Sequence, residues 1–267
     1  MSVNSIHKLP LSVLIMTKNE EKNLPDCLNS VSFAEEVIIL DDESTDKTGE
    51  IAQALGATVV QRKMDYEGRH RNYGYGLSKN KWVLSLDADE RVTPELETEI
   101  RNLFNSNDLY VYSGYSIPRR NYLGKKWLKH GGQYPSAQIR LFQRGKFEYE
   151  EFEEVHPKPK FGGPYRQLNH DIIHYSYKDF SDWVNRLNRH SSLEAKKWHR
   201  EKRRPRLLRK LRKTIDRFLK AFILKKGYKD GFDGFMMAFG GGFYQLLTYA
   251  KYRDILKSEN KNNKTNG

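Results

Sequence analysis

Acidic residues cluster three times in the first ninety residues, each time directly after an apolar run. LSVLIM (11–16) leads into TKNEE, EVIIL (36–40) into DDESTD, and WVLSL (82–86) into DADE. Unpaired carboxylates are costly in a core, so these groups must meet water, a cation or a ligand. Asp87 and Asp89 are two positions apart, and in extended backbone both side chains project to the same side. Such a pair suits Mg2+ or Mn2+, which are commonly shared between protein carboxylates and substrate phosphates. An isolated D-x-D also serves as a solvated turn or a helix N-cap. Three acidic strand ends together favour a cation site.

Bringing these clusters together requires the apolar runs to be neighbouring strands. ATVV (57–60) is a fourth run, and residues 20–33 and 46–55 have helix-compatible spacing, the second stopped by Gly56. Strands alternating with helices predict parallel βαβ units, and continuous apolar runs predict strands covered on both faces. The first ~105 residues therefore read as an open, doubly wound, Rossmann-like α/β sheet, whose ligands bind beyond the carboxyl ends of the strands. Beyond residue 105, aromatic and β-branched fragments with frequent Gly and Pro predict a mixed β extension. From Asp179 the sequence is helical. Leu207, Leu208, Leu211, Ile215, Phe218, Leu219, Phe222 and Ile223 recur at spacings of three and four with Lys and Arg between them. GFDGFMMAFGGGFYQLLTYAKY reads as an aromatic segment interrupted by glycines and Asp233, and SENKNNKTNG from Ser258 as a disordered tail. The expected organisation is a catalytic α/β domain over 1–178, a basic amphipathic helical region over 179–257, and a tail over 258–267.

Composition narrows the class. With 37% hydrophobic residues and a mean hydropathy of −0.81, the chain is too polar for a polytopic membrane protein. The N-terminus reads as a first strand rather than a signal peptide. A single cysteine, Cys27, excludes an internal disulfide framework and fits a reducing cytosol. Residues 196–213 hold eleven Lys or Arg against one Glu, in a chain of net charge +13. A block of that kind predicts a docking surface. Its polar face and apolar stripe fit an anionic membrane surface, a partner helix or nucleic acid, and the Phe- and Met-rich segment that follows favours the membrane.

LSVLIMTKNEEKNLPDCLNSV, EVIILDDESTDKTGEIAQ and RNYGYGLSKNKWVLSLDADERVTPEL, in that order and spacing, resemble the three signatures of glycosyltransferase family 2, which has the GT-A fold. YPSAQIRLFQRGKFEYEEFEEVHPK, HDIIHYSYKDFSDWVNRLNRHS and the C-terminal Gly- and Phe-rich segment resemble the lipopolysaccharide core glucosyltransferase branch of that family. The resemblance implies a nucleotide-sugar donor, of which a UDP-linked hexose is the first expectation. It also implies a hydroxyl acceptor on a lipid-linked or polysaccharide molecule such as lipopolysaccharide core, and an inverting single displacement dependent on Mg2+ or Mn2+. Carried onto this chain, Thr17, Asn19 and Glu20 line the nucleoside pocket, Asp41 and Asp42 contact base or ribose, and Arg71 sits near base or diphosphate. Asp87, Ala88 and Asp89 meet the donor, with Asp87 and Asp89 as metal ligands. The place implied is the cytoplasm, peripheral on the inner face of the cytoplasmic membrane.

The general base is sought in EYEEFEEVHP, among Glu148, Glu150, Glu151, Glu153 and Glu154. Glu153 and Glu154, beside Val155 and His156, are the favoured pair, and strand alternation would put Glu151 and Glu153 on one face with Glu150 and Glu154 on the other. Relatives of the branch often carry an acid after the Val-His pair and another between the YP and RLF of YPSAQIRLF, where this chain has Pro157 and Ser136. Glu90 reads as the cap of the helix beginning at VTPEL. His156 is a candidate third ligand or acceptor-orienting group, whereas His130, His170 and His174 have no metal spacing and receive no role. Arg140 and Arg144 read either as anion contacts or as strand-face charges, and Trp127 and Tyr134 as core or as a sugar platform. Two other classes compete: a nucleic-acid-binding α/β protein using the basic helix, and a nucleotidyltransferase, although TKNEE is not a glycine-rich phosphate loop. No nucleic-acid partner is expected on the leading reading.

Overall fold

A computed structural model describes residues 7–153 and 157–265. The elements are β1 (Leu9–Thr17), α1 (Leu24–Asn29), β2 (Ala34–Asp41), α2 (Thr48–Ala54), β3 (Thr58–Gln61), α3 (Glu67–Leu77), β4 (Trp82–Asp87), β5 (Glu90–Val92) and α4 (Pro94–Phe104). They continue with β6 (Gly114–Ile117), β7 (Arg119–Leu123), β8 (Lys126–Trp127), β9 (Gln138–Gln143), β10 (Phe147–Tyr149), β11 (Pro159–Phe161), β12 (Tyr165–Gln167) and β13 (Ile172–Tyr177). Three long helices close the chain, α5 (Phe180–Arg200), α6 (Leu207–Leu219) and α7 (Gly231–Thr265).

Contacts divide the chain into two units, residues 1–120 with 136–175 and residues 121–135 with 176–267. The first unit holds a seven-stranded sheet in the order β12-β6-β9-β4-β1-β2-β3. β4, β1, β2 and β3 run parallel, and β9 joins antiparallel to both β4 and β6. The α/β class, the mostly parallel sheet and its mixed extension are as the sequence predicts. Val13, Leu14, Ile15, Ile39, Leu40, Leu84 and Leu86 are buried in apolar clusters that cover the sheet, which is why their runs are continuous rather than alternating. Register aligns the polar ends, with Thr17 opposite Asp41 and Met16 opposite Asp87.

In the second unit, Leu123 and Leu128 of the β7–β8 hairpin pack with Trp183, Phe180, Met236 and Met237. This apolar cluster ties residues 121–135 to the helices, so the division differs from the expected boundary at residue 178. Asp179 caps α5 by accepting from the Asp182 N–H at 2.8 Å. α7 is continuous and extends to Thr265, past Ser258, where a disordered tail is expected from composition. Gly240 and Gly234 are packing positions rather than breaks: a Cβ at Gly240 would overlap the Trp183 ring, and one at Gly234 the carbonyl of Gly227. No residue of α6 is buried, and its apolar stripe is largely uncovered, with Leu208 81% and Ile215 58% exposed. No helix among the described residues is long and apolar enough to cross a membrane.

Candidate active site

The polar ends of β1, β2 and β4 are braced by the carboxylates that the sequence singles out. The Thr17 hydroxyl donates to Asp41 at 3.0 Å, and the Ser44 amide and hydroxyl also donate to Asp41, which is fully buried. Asp42 accepts from Lys18 Nζ at 2.8 Å and from the Met64 N–H at 2.7 Å. Burial alone would raise the Asp42 carboxyl, but these donors and the Lys18 charge outweigh it and hold it below the usual range. Asn19, at φ +55°, accepts from the Thr45 N–H at 2.8 Å, and the Glu20 N–H donates to Thr48 Oγ1 at 2.8 Å. The loops after β1 and β2 are thus stitched into one rim.

The turn after β4 divides its acidic residues sharply. Asp87 receives Arg71 Nη2 at 2.8 Å on one oxygen and Arg140 Nη2 at 2.9 Å on the other. Burial opposes ionisation there, yet the two guanidinium charges hold the Asp87 carboxyl far below the usual range. Glu90 is fully buried and accepts from Arg140 at 2.6 Å, from Arg119 at 3.3 Å and from the Asp87 N–H at 3.0 Å. It does not cap α4; Thr93 does, accepting from the Leu96 N–H at 3.2 Å with Pro94 in the first turn. Arg91 braces the turn backbone by donating to the carbonyls of Ala88 and Glu90, both at 2.8 Å. Ala88 is buried, and its N–H reaches the Met16 carbonyl at 3.1 Å.

Asp89 differs from its neighbours: its Oδ1 is buried with no hydrogen-bond partner and lies 3.6 Å from His174 Nε2. A buried carboxylate oxygen in that state is costly, and it fits a cation ligand. Of the two expected metal ligands, Asp89 therefore fits the role, whereas both oxygens of Asp87 are committed to arginines. Among the described residues no three or more His, Cys, Asp or Glu side chains are already placed to hold a metal ion together.

Sequence reasoning gives His174 no role and reads Arg140 as an anion contact or a strand-face charge, whereas the structure sets both against the acids of the DADE turn. Pairing of β13 with β5 sets His174 opposite Glu90, beside the DADE turn from some eighty residues away. Arg140 sits in β9, 2% exposed, where a strand-face charge was one expectation; a cation flanked by Ile139, Leu141 and Phe142 is the signal that it needs a buried partner. Arg144 instead donates to the Ser78 carbonyl. His170 pairs with Glu99 at 2.9 Å, and His130 with Asp230 at 2.8 Å. Trp127 and Tyr134 meet edge to face, 5.5 Å between centroids.

The acidic segment after β10 is only partly described. β10 ends at Tyr149 and residues 151–152 form a turn, so the expected alternation of Glu150, Glu151 and Glu153 across a strand does not apply. Glu153 is half-buried. Glu154, Val155 and His156 lie outside the described residues. Asn72 of α3 holds the end of β10 through both its amide groups, donating to the Tyr149 carbonyl at 2.9 Å and accepting from the Tyr149 N–H at 2.8 Å.

The family model described as Glycosyl transferase family 2 matches residues 12–173, most of the chain and nearly all of the first unit. The chain belongs to that family. Its α/β unit has the GT-A organisation expected of such a member. A glycosyltransferase of Rickettsia typhi is 32% identical over 94% of this chain and 89% of the relative. LpsC of Rhizobium meliloti, a lipopolysaccharide core biosynthesis glycosyltransferase, is 27% identical over 92% of this chain and 93% of the relative. S. aureus TarS (residues 1–349) is 14% identical over 95% of this chain and 92% of that chain, with a TM-score of 0.48.

Proposed function

We propose that this glycosyltransferase moves a hexose from a UDP-linked donor to a hydroxyl of a lipid-linked or polysaccharide acceptor such as lipopolysaccharide core, with inversion at the anomeric carbon. The observation that carries the reading is the aligned rim of Thr17, Asp41 and the DADE turn, with one buried carboxylate oxygen left without a hydrogen-bond partner. Thr17, Asn19, Glu20, Asp41 and Asp42 would frame the nucleoside, and Arg71, which keeps a buried Nη1 without an acceptor, would donate to a phosphate oxygen. Asp89, with His174 beside it, would hold Mg2+ or Mn2+, and the donor's phosphates would complete the coordination. The ion, when bound, offsets the negative charge that develops on the departing diphosphate. The acceptor oxygen forms a bond to the anomeric carbon as that carbon's bond to the diphosphate oxygen breaks. The hydroxyl proton passes to a carboxylate, for which Glu153 and Glu154 are the proposed bases. The acceptor class draws on the similarity to LpsC and on the uncovered apolar stripe of α6, which with its flanking Lys and Arg fits peripheral binding to an anionic membrane face.

Purified protein with Mn2+ or Mg2+ and a set of nucleotide sugars should release nucleoside diphosphate from one donor in preference to the rest. Asp89→Asn should reduce that release at least ~100-fold, the scale of losing one electrostatic stabiliser of a leaving group. Full activity in Asp89→Asn removes the metal assignment. A product that retains nucleoside monophosphate makes the protein a nucleotidyltransferase instead.

A further inference from the structure

The second unit contains a groove of about 1060 Å3 along the α5–α6 connection and the first turns of α6. Trp198 and Tyr249 supply aromatic lining, and Arg203, Arg204, Arg206, Arg209, Lys210 and Lys213 supply charge; no carboxylate lines it. Arg203 is paired, with Glu201 and, at 3.9 Å, Glu194. Among the described residues, none of the other five cations is ion-paired to a carboxylate. The Lys210 ammonium sits 3.6 Å from the centre of the Trp198 ring. Burial, together with the like charges of Lys213 and Arg203, pushes Lys210 down to about 8. Like charges crowded with few carboxylate partners hold a positive potential that an arriving anion relieves.

The apolar side of the groove narrows the ligand. Leu207 and Leu208 both line it and begin the uncovered stripe of α6, which the exposed Ile223 and Leu224 of the following π-helical turn extend. A ligand that satisfies both features is an amphiphile whose charged head enters the groove while its chains meet the stripe. Of the five cations without carboxylate partners, a dianionic phosphomonoester offsets more than a singly charged phosphodiester does, so the more highly charged headgroup is favoured. We infer that this groove is a headgroup site for a membrane lipid bearing a dianionic phosphomonoester, a reading that rests on the membrane association proposed above.

The full chain can be sedimented with phosphatidylcholine vesicles doped with phosphatidic acid or with phosphatidylglycerol at matched surface charge. Phosphatidic acid should retain the protein about five-fold better, a preference on the scale of one basic contact at an anionic surface. The double substitution Arg206→Gln, Lys210→Gln should lower retention on phosphatidic acid more than on phosphatidylglycerol and abolish the preference between them, leaving donor hydrolysis unchanged. Equal retention on both vesicles, or equal loss from both in the double variant, overturns the headgroup site and leaves a diffuse membrane surface. Failure to bind either vesicle overturns the headgroup site and the membrane reading together, with donor hydrolysis untouched. Tighter capture by a single-stranded RNA oligonucleotide than by phosphatidic acid vesicles overturns it in favour of nucleic acid.

Discussion

Replacing Arg140 with Met tests whether the arginine clasp on the DADE turn holds the site together. Arg140 is 2% exposed and bridges two carboxylates, Asp87 at 2.9 Å and the fully buried Glu90 at 2.6 Å. Methionine keeps much of the aliphatic volume, so the main loss is charge and hydrogen bonding rather than packing. Removing one partner of a buried ion pair typically costs about 3 to 5 kcal/mol, because the remaining charge is uncompensated. At about 2 to 4 °C per kcal/mol for a chain of this size, that is roughly 6 to 20 °C in Tm at neutral pH. Arg140→Lys should recover part of the loss, since it restores the charge but not the planar guanidinium that serves both acids.

The pH dependence separates an ionic cause from a packing cause. Asp87 is depressed in the folded state by Arg71 and Arg140 despite its burial. A carboxyl depressed on folding contributes stability that is fully present above its unfolded value of about 3.9 and is lost as the pH falls toward the folded value. In Arg140→Met that depression shrinks, so less stability remains to be lost in acid. The Tm gap between wild type and variant should therefore be widest near neutrality and narrow as the pH drops from about 5 toward 3. Scanning fluorimetry or calorimetry across that range measures it. A gap under about 2 °C at neutral pH, or a large gap of constant size, refutes the ionic account.

Three glycines give two independent checks. Gly68→Ala would drive a methyl into the Glu150 carbonyl and displace the segment that leads to Glu153, so sugar transfer should fall more than donor hydrolysis does; equal falls in both would detach that segment from acceptor activation. Gly240→Ala should destabilise by about 1 to 2 kcal/mol because its methyl overlaps the Trp183 ring. Gly241→Ala, with nothing within 4 Å, should stabilise by about 0.5 to 1 kcal/mol through its helix preference, and denaturant unfolding that reverses this order would refute the packing role of Gly240.

Legibility followed the range of the interactions. β1, β2 and β4 could be read from sequence because each is a continuous apolar run ending in acids, and a parallel sheet forces those ends to one edge. His174 and Arg140 could not, because they reach the turn only through antiparallel pairing of β13 with β5 and of β9 with β4. Glu90 was misread for a local reason: its position before VTPEL suits a helix entrance, but Thr93 and Pro94 already supply one, which leaves Glu90 for the buried arginines. The glycines of α7 look like helix breakers in isolation. Gly234, Gly240 and Gly242 are required because the Gly227 carbonyl, the Trp183 ring and the Thr214 carbonyl leave no room for a side chain, a fact carried by the partner segments rather than by α7.

The two aspartates of DADE show why spacing alone does not assign a ligand. Two residues apart on one turn, they meet opposite electrostatic surroundings. Asp87 has a cation on each oxygen, so its charge is already offset and a divalent ion would gain little there while displacing a paired arginine. Asp89 has a buried oxygen without a hydrogen-bond donor beside an imidazole nitrogen at 3.6 Å, so that oxygen has coordination capacity to offer. A divalent cation gains most where the carboxylate is buried and uncompensated. On the proposed reading Asp87 therefore anchors the turn through the arginines and Asp89 receives the ion. That is why the Arg140 variant should report chiefly on stability and the Asp89 variant on turnover: the sequence repeats one residue type, and the fold divides its work.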